Sequence, residues 1–554
     1  MAQAFVTDSM EFQRIRAIPR RLFHLESYED CTPLFAKTGE YSLRPIQSAA
    51  LIEAAKTNGL FAPIGVGFGK GLISLLLPEA LDSKKSVLLI PSTSLKAQLY
   101  SEIRTFYHRH FHLPIDRIVV VTYSELSSAN NANILEELYP FDTVIADECH
   151  FFRHPSSART KRFLRFMKAH PHVRFCGLSG TITSRSIKDY AHLIELALRK
   201  SSPLPRGYRE MEAWAGVLDV NAKIHVEPGA LRQLCAPGEE VRQGYRRRLV
   251  ETEGVVATSE SSLGTSLIVQ KLSFEMPLSI KTELKKLTKT WKIEDDEIEQ
   301  ATRLASISRQ LVAGFYYKWV WPNNKKDFDW LEARNAWHCE VREKLKFARP
   351  GMDSVLLLAQ AAEQGRWASQ TWDAWKAEKH KPGPKTVPVW LDDFLIDRAI
   401  AWGQAQDQPA IIWYEWKAVG ERLAQKTSWP HFGEGTVASF SKDPIIICSI
   451  QSQGTGKNLQ HFCRNLFTTL PPNGTTFEQT VGRTHRMGQL ADEVTVDWFC
   501  HADVLSDAMK QVMLDAVYQE DTTPQKQKIL YATKLEMEKE IRECHGIGIR
   551  TSTK

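Results

Sequence analysis

No stretch of the sequence offers the ~18 consecutive apolar residues that a membrane-spanning helix needs, so neither a span nor a membrane partner is expected. Cysteine is scarce and unpatterned. Nine residues, an odd number, occur without a single C-x-x-C, which argues against a disulfide framework or structural zinc site and for a reducing compartment. The first 25 residues carry acids and scattered arginines but no apolar block, so no secretory signal is expected and a cytoplasmic location follows. A large excess of either charge is missing too: +6 is small for 554 residues. The excess that exists is local. Between Phe151 and Lys200, eleven lysines and arginines face only two acids, Asp189 and Glu195. Such a segment suits a polyanion bound by counterion release, and equally suits a solvated basic helix face.

What is present is an ordinary globular composition, 43% apolar and 25% charged, in a chain long enough for three or four domains of ~150 residues each. Short β-branched runs recur at Val87–Ile90, Ile118–Thr122, Thr143–Ala146 and Val173–Leu178, separated by helical stretches such as Leu95–Thr105 and Ser157–Ala169. That alternation predicts a parallel α/β sheet with buried strands. A second series follows at Ala410–Tyr414, Ile445–Ile450, Asn465–Thr468 and Val494–Phe499. The region between is different in kind. It is rich in Gly, Pro, Arg and Glu over 201–264, then mostly helical, and residues 265–392 hold nine of the fifteen tryptophans. Tryptophans beside lysines can stack bases, but clustered tryptophans more often fill the core of a small helical unit.

Residues 64–74 read IGVGFGKGLIS ahead of an apolar helical stretch. A glycine-rich turn lets backbone N–H groups close on phosphate oxygens, and the helix N-terminus behind it favours negative charge. Gly67, Gly69 and Gly71 would form the cradle, with Lys70 reaching the terminal phosphates. The strict pattern G-x-x-x-x-G-K-[ST] is broken twice: Ile64 replaces the first glycine, and Gly71 stands where a Mg²⁺-binding hydroxyl belongs. Ser74, one turn further on, is expected to sit too far away to replace that hydroxyl. The run Thr143–His150, TVIADECH, is an apolar strand ending in two carboxylates. It would deliver Asp147 to hold Mg²⁺ and Glu148 to orient or deprotonate the attacking water.

These strings and several others resemble, in order, the motifs of superfamily 2 helicases and translocases. Asp147–His150 is similar to the DEAD/DEAH box, and its continuation resembles the Swi/Snf branch and compact bacteriophage-type helicases. By that resemblance Leu43–Gln47 (LRPIQ) supplies Arg44 and Gln47 to the nucleotide, with Gln47 reading the adenine edge. Pro91 and Ser92 (PSTSLKAQ) and Thr122 and Tyr123 contact the nucleic-acid backbone. Ser179, Gly180 and Thr181 (LSGT) couple nucleotide site to track. Gly454, Thr455 and Asn458 (SIQSQGTGKNL) grip the track from the second lobe. Gln479 (QTVGRTHRMGQ) touches the nucleotide, and Arg483 and Arg486 act as arginine fingers.

The implied fold is α/β, with two RecA-like parallel-sheet lobes and a mainly helical insertion between them. The implied divisions are an N-terminal segment (1–39), lobe 1 (40–200), a connecting stretch (201–264), the insertion (265–392), lobe 2 (393–500) and a helical tail (501–554). The implied activity is ATP hydrolysis with Mg²⁺, coupled to translocation on nucleic acid. DNA is favoured over RNA, and the chain is expected to act as a monomer because one chain carries the complete site. Two other readings stay open: an ATP-binding clamp that Gly71 has left without hydrolysis, and a helicase directed to RNA.

Overall fold

The computed structural model describes residues 5–535, less Val66, Thr181, Ser184, Asn221, Lys223, 258–264, Asp295, Ala348, Met487 and Pro524. The expected α/β architecture is present as two parallel sheets with helices packed on them. The first contains β1 (Leu60–Ala62), β2 (Ser86–Ile90), β3 (Ile118–Thr122), β4 (Thr143–Asp147) and β5 (Arg174–Leu178), in the order β1-β5-β4-β2-β3. Every neighbouring pair is parallel. All five residues of β2 are buried, the mark of a strand covered on both faces. Segments outside the predicted lobe complete its core. Phe12 and Ile15 of the helix Met10–Ala17 share a cluster with Trp214 of Tyr208–Leu218 and with Tyr245 and Leu249 of Val241–Val250.

The chain then forms β6 (Ser266–Leu272), a small antiparallel pair β7 (Lys292–Ile293) and β8 (Asp296–Glu297), and a longer one, β9 (Phe315–Val320) with β10 (Lys385–Trp390). Between β9 and β10 lie the helices Phe328–Lys346, Val355–Glu363 and Trp372–Glu378. Their core is aromatic: Trp337 and Trp372 are buried with ring centroids 4.9 Å apart, joined by Trp367 and Trp375.

The second sheet adds β11 (Ala410–Tyr414), β12 (His431–Phe432), β13 (Ile445–Ser449), β14 (Arg464–Phe467), β15 (Glu493–Phe499) and β16 (Thr533–Leu535). Its order is β12-β13-β11-β14-β15-β6-β16. Two of these strands lie outside the stretch 393–500. β6 pairs with β15 along its whole length, Val269 opposite Val496, and β16 pairs with β6. The lobe is therefore closed by strands from the start of the predicted insertion and from the predicted tail. Their partners are far away in sequence, and local periodicity carries no record of such pairings.

Candidate nucleotide site

In a parallel sheet, ligands gather at the carboxyl ends of the strands. Here β1 leads into the glycine loop, β2 into Pro91 and Ser92, β4 ends on Asp147, and β5 runs into Ser179. The loop is held from below. Arg44 Nη1 donates to the Gly67 carbonyl at 2.9 Å, and Gln47 Nε2 to that of Gly69 at 3.2 Å. Both glycines take positive φ, 95° and 77°, and a Cβ on Gly69 would lie 2.3 Å from the Gln47 amide. Lys70 opens the helix Lys70–Ala80. Its ammonium donates to the carbonyls of Ile64 (3.1 Å) and Gly65 (3.2 Å) and lies 3.9 Å from Glu148 Oε1.

Glu148 is the strained residue of the site. Its φ of 55° puts a non-glycine residue in the left-handed region, a conformation costing ~1–3 kcal/mol that persists where surrounding contacts over-determine it. Those contacts are present. Its Oε2 accepts from the Ser179 hydroxyl at 3.2 Å and lies 3.2 Å from His150 Nδ1, while His150 Nδ1 is 2.9 Å from Ser179 Oγ. Burial opposes its charge, but the Lys70 ammonium, the His150 hydrogen bond and Arg483 outweigh that and hold its carboxyl well below the ordinary range. Asp147 goes the other way: burial, then the charge of Glu148, pushes its carboxyl well above the usual value. Of the two, Glu148 is the one held as a carboxylate.

The second lobe completes the enclosure. The helix Gly474–Thr484, capped by Asn473, brings Gln479 to within 3.4 Å of His150, Nε2 to Nε2. Arg483 is buried, with Nε donating to the Gln479 carbonyl at 2.9 Å. Burial, with Arg486 beside it, lowers its pKa to about 10, so it remains a cation near neutrality. Arg486 donates to Asn458 Oδ1. Gly67, Lys70, Asp147, Glu148, Arg483 and Arg486 line one cavity of about 310 Å³. The lobes also touch directly: Asn458 Nδ2 donates to Glu102 Oε1 at 3.3 Å, and a Cβ on Gly456 would lie 2.3 Å from Leu95 Cδ1.

With that geometry established, comparison with known proteins adds one finding. Residues 40–184 match the family model described as type III restriction enzyme, res subunit. That family consists of helicase-like superfamily 2 domains, so the match supports, at a general level, a nucleic-acid-dependent ATPase with the RecA-like fold in this part of the chain. The match spans all five strands of the first sheet and ends three residues beyond the LSGT string. No curated protein matches the chain. Among the described residues, no helix is long and apolar enough to cross a membrane.

Several predicted residues occupy other surroundings. Thr122 and Tyr123 are buried. Thr122 caps the helix Tyr123–Ser127, and the Tyr123 hydroxyl donates to the Asp147 carbonyl at 2.9 Å while its ring stacks on Phe151. These side chains support β4 and reach no surface, so the sequence reading of them as direct nucleic-acid contacts is corrected. Asn458, predicted for the track, lines the cavity between Glu102 and Arg486. Gln47 and Arg44 bond the glycine loop. Gly180 N approaches Glu148 Oε2 at 3.5 Å, and Thr181 lies outside the described residues. Ser92 caps the helix Thr93–Glu102, and the Thr455 hydroxyl donates to Gln479 Oε1 at 3.3 Å. The Gly454 amide donates to the Ile450 carbonyl at 3.0 Å and so ends a short helix.

The basic segment is largely bonded internally. Arg162 and Arg165 bind Asp353, Arg174 binds Asp142, Arg185 binds Asp515 and Lys188 binds Glu212. Sequence reasoning missed Glu102, Phe106 and Tyr107, which line the cavity from the end of the helix Thr93–Glu102 and the π-helical turn Ile103–Tyr107. No motif marks them. His150 carried a signal, as the fourth letter of D-E-C-H.

A magnesium nucleotide fits this lining. Its oxygen donors are hard: the Asp147 carboxylate, phosphate oxygens and water. Ser74 also lines the cavity, and its buried hydroxyl has no hydrogen-bond partner.

Proposed function

We propose that the protein is an ATP-driven motor that moves along DNA as a monomer in the cytoplasm, of a kind with Swi/Snf-like and compact bacteriophage-type helicases. The observation carrying this reading is the meeting of Arg483 and Arg486 with Lys70, Asp147 and Glu148 on one interlobe cavity. A phosphoryl transfer gathers charge on its equatorial oxygens, and cations delivered from a second lobe meet that charge only when the lobes are together.

In this reading Lys70 and the glycine loop hold the triphosphate. Ionised Glu148 accepts the proton of the attacking water as its oxygen bonds to the γ-phosphorus and the bond to the β-phosphate oxygen breaks. Arg483 and Arg486 neutralise the departing charge. Asp147 would hold a Mg²⁺ ion, which would supply charge neutralisation on the phosphates. Glu148, His150, Ser179 and Gln479 form a hydrogen-bonded chain across the cleft, which supports a coupling role for Ser179, Gly180 and Thr181. Pro91, Ser92, Gly454 and Thr455 are the remaining candidates for the track. Contacts of that kind, made to backbone phosphates, give little sequence preference and a steep salt dependence.

The test is ATP hydrolysis measured alone and with single-stranded, duplex and forked DNA and with RNA. DNA should raise turnover, and Lys70→Ala or Glu148→Gln should lower it by ~100-fold or more. Turnover indifferent to every nucleic acid would overturn the motor reading, and a response to RNA over DNA would change the track. One observation favours a second reading, an ATP-binding clamp: a Cβ added at Gly71 would find nothing within 4 Å, so no protein group stands where the hydroxyl of the usual motif would be. Steady turnover that disappears in Glu148→Gln would dispose of the clamp.

A further inference from the structure

Gly71 and Ser74 occupy the same side of the first turns of the helix Lys70–Ala80, three residues apart. Space remains in front of Gly71, since a Cβ there would meet no atom within 4 Å. Ser74 is 1% exposed, lines the same cavity as Gly71 and Asp147, and its Oγ has no hydrogen-bond partner. That is unusual for a serine inside a helix. Such a hydroxyl ordinarily turns back to the carbonyl four residues earlier, here that of Lys70. Neighbouring Leu72, Ile73, Leu75 and Leu76 are buried and apolar, so alanine would serve as well at position 74 if packing were all it did. The hydroxyl is left without a protein partner beside the open space at Gly71, in the cavity that Asp147 also lines.

We propose that Ser74 is a positioning residue for the divalent cation of the nucleotide site: its hydroxyl holds a metal-bound water in the space that Gly71 leaves open. Two residues and a water thus divide what one hydroxyl does in the usual motif. Gly71 supplies the room, water supplies the ligand, and Ser74 fixes the water. The inference rests on the reading of this cavity as a nucleotide site.

The experiment uses the full chain with ADP and Mn²⁺. Free Mn²⁺ is counted by electron paramagnetic resonance, and ADP affinity is measured separately in EDTA. Ser74→Ala should weaken Mn²⁺ binding in the presence of ADP by ~10-fold or more, the scale of outer-shell changes at metal sites. ADP affinity in EDTA should stay the same. Adding Gly71→Ser to Ser74→Ala should restore Mn²⁺ affinity by providing a direct ligand, a recovery that a purely structural effect of position 74 would not show. Unchanged Mn²⁺ affinity in Ser74→Ala with normal ADP binding would overturn the inference and leave the nucleotide site standing. Failure of the unmutated chain to bind ADP at all would overturn both.

Discussion

Buried histidines make this molecule's residue-scale response to acid readable. The His501 side chain sits between Phe274, at 4.5 Å between ring centroids, and Phe394, at 5.3 Å, with Nε2 2.7 Å from the Val312 carbonyl. Burial pushes its pKa down to about 4, against a weaker upward pull from that hydrogen bond. The unfolded chain, near 6.5, therefore binds the proton first. The stability held by neutral His501 is complete above pH ~6.5 and is lost as the pH falls towards 4, with roughly 2 kcal/mol gone by pH 5. His501→Leu should be less stable than the natural chain at pH 8, and denaturant titrations should show the gap narrowing by about that amount at pH 5. Parallel stability curves would refute the assignment. The residue scale was also where the sequence was most informative. Lys70, Asp147, Glu148, Arg483 and Arg486 all line the cavity, because each belongs to a short string whose chemistry is written in adjacent letters. Thr122 and Tyr123 misled for the same reason. Their string was legible, but whether a side chain points to the surface or beneath β4 depends on packing that no string records.

At the scale of elements, the turn after β13 approaches lobe 1 more closely than any side chain permits. Gly456 has φ 72°, and an added Cβ would meet Leu95 at 2.3 Å. Gly456→Val should therefore hold the lobes apart while each still folds, since the obstruction lies across the cleft. Far-ultraviolet circular dichroism should be unchanged and ATP turnover should fall ~10-fold or more, a scale set by misplacing reacting groups by an ångström or so. Leu95→Ala added to it should recover part of the loss, and the absence of recovery would point to backbone strain alone. Most strands of both sheets were visible beforehand as β-branched runs, from β2 to β15. The exceptions have physical reasons. β1 and β12 are three and two residues long, too short for any pattern, and β6 and β16 become strands only through partners hundreds of residues away.

On the scale of the whole molecule, three separate bridges join the lobes: the cavity lining, the helical insertion and the helix Asp503–Thr522. Asp353, in the turn before Val355–Glu363, accepts from Arg162 at 2.7 Å and Arg165 at 2.8 Å, with its own side chain 1% exposed. Removing it leaves the Arg162 guanidinium buried without its counter-ion, a loss of ~3–5 kcal/mol. Asp353→Ala should release the tryptophan-rich helices from lobe 1, seen as new protease cleavage within 321–384 and a shift in tryptophan emission. An unchanged digestion pattern would mean that other contacts hold this unit. The third bridge is of another kind. Arg185 reaches Asp515 at 3.0 Å from a side chain 45% exposed, and Tyr518 and Gln525 reach back to Asp219 and to the Ser179 carbonyl. An ion pair open to water on one side is screened by dissolved salt, whereas a hydrogen bond sealed in the interior is not. Of the contacts in this bridge, dissolved salt therefore eases the one at Arg185 and leaves those of Tyr518 and Gln525 in place, so the grip between these segments slackens by a single strand as the medium grows saltier.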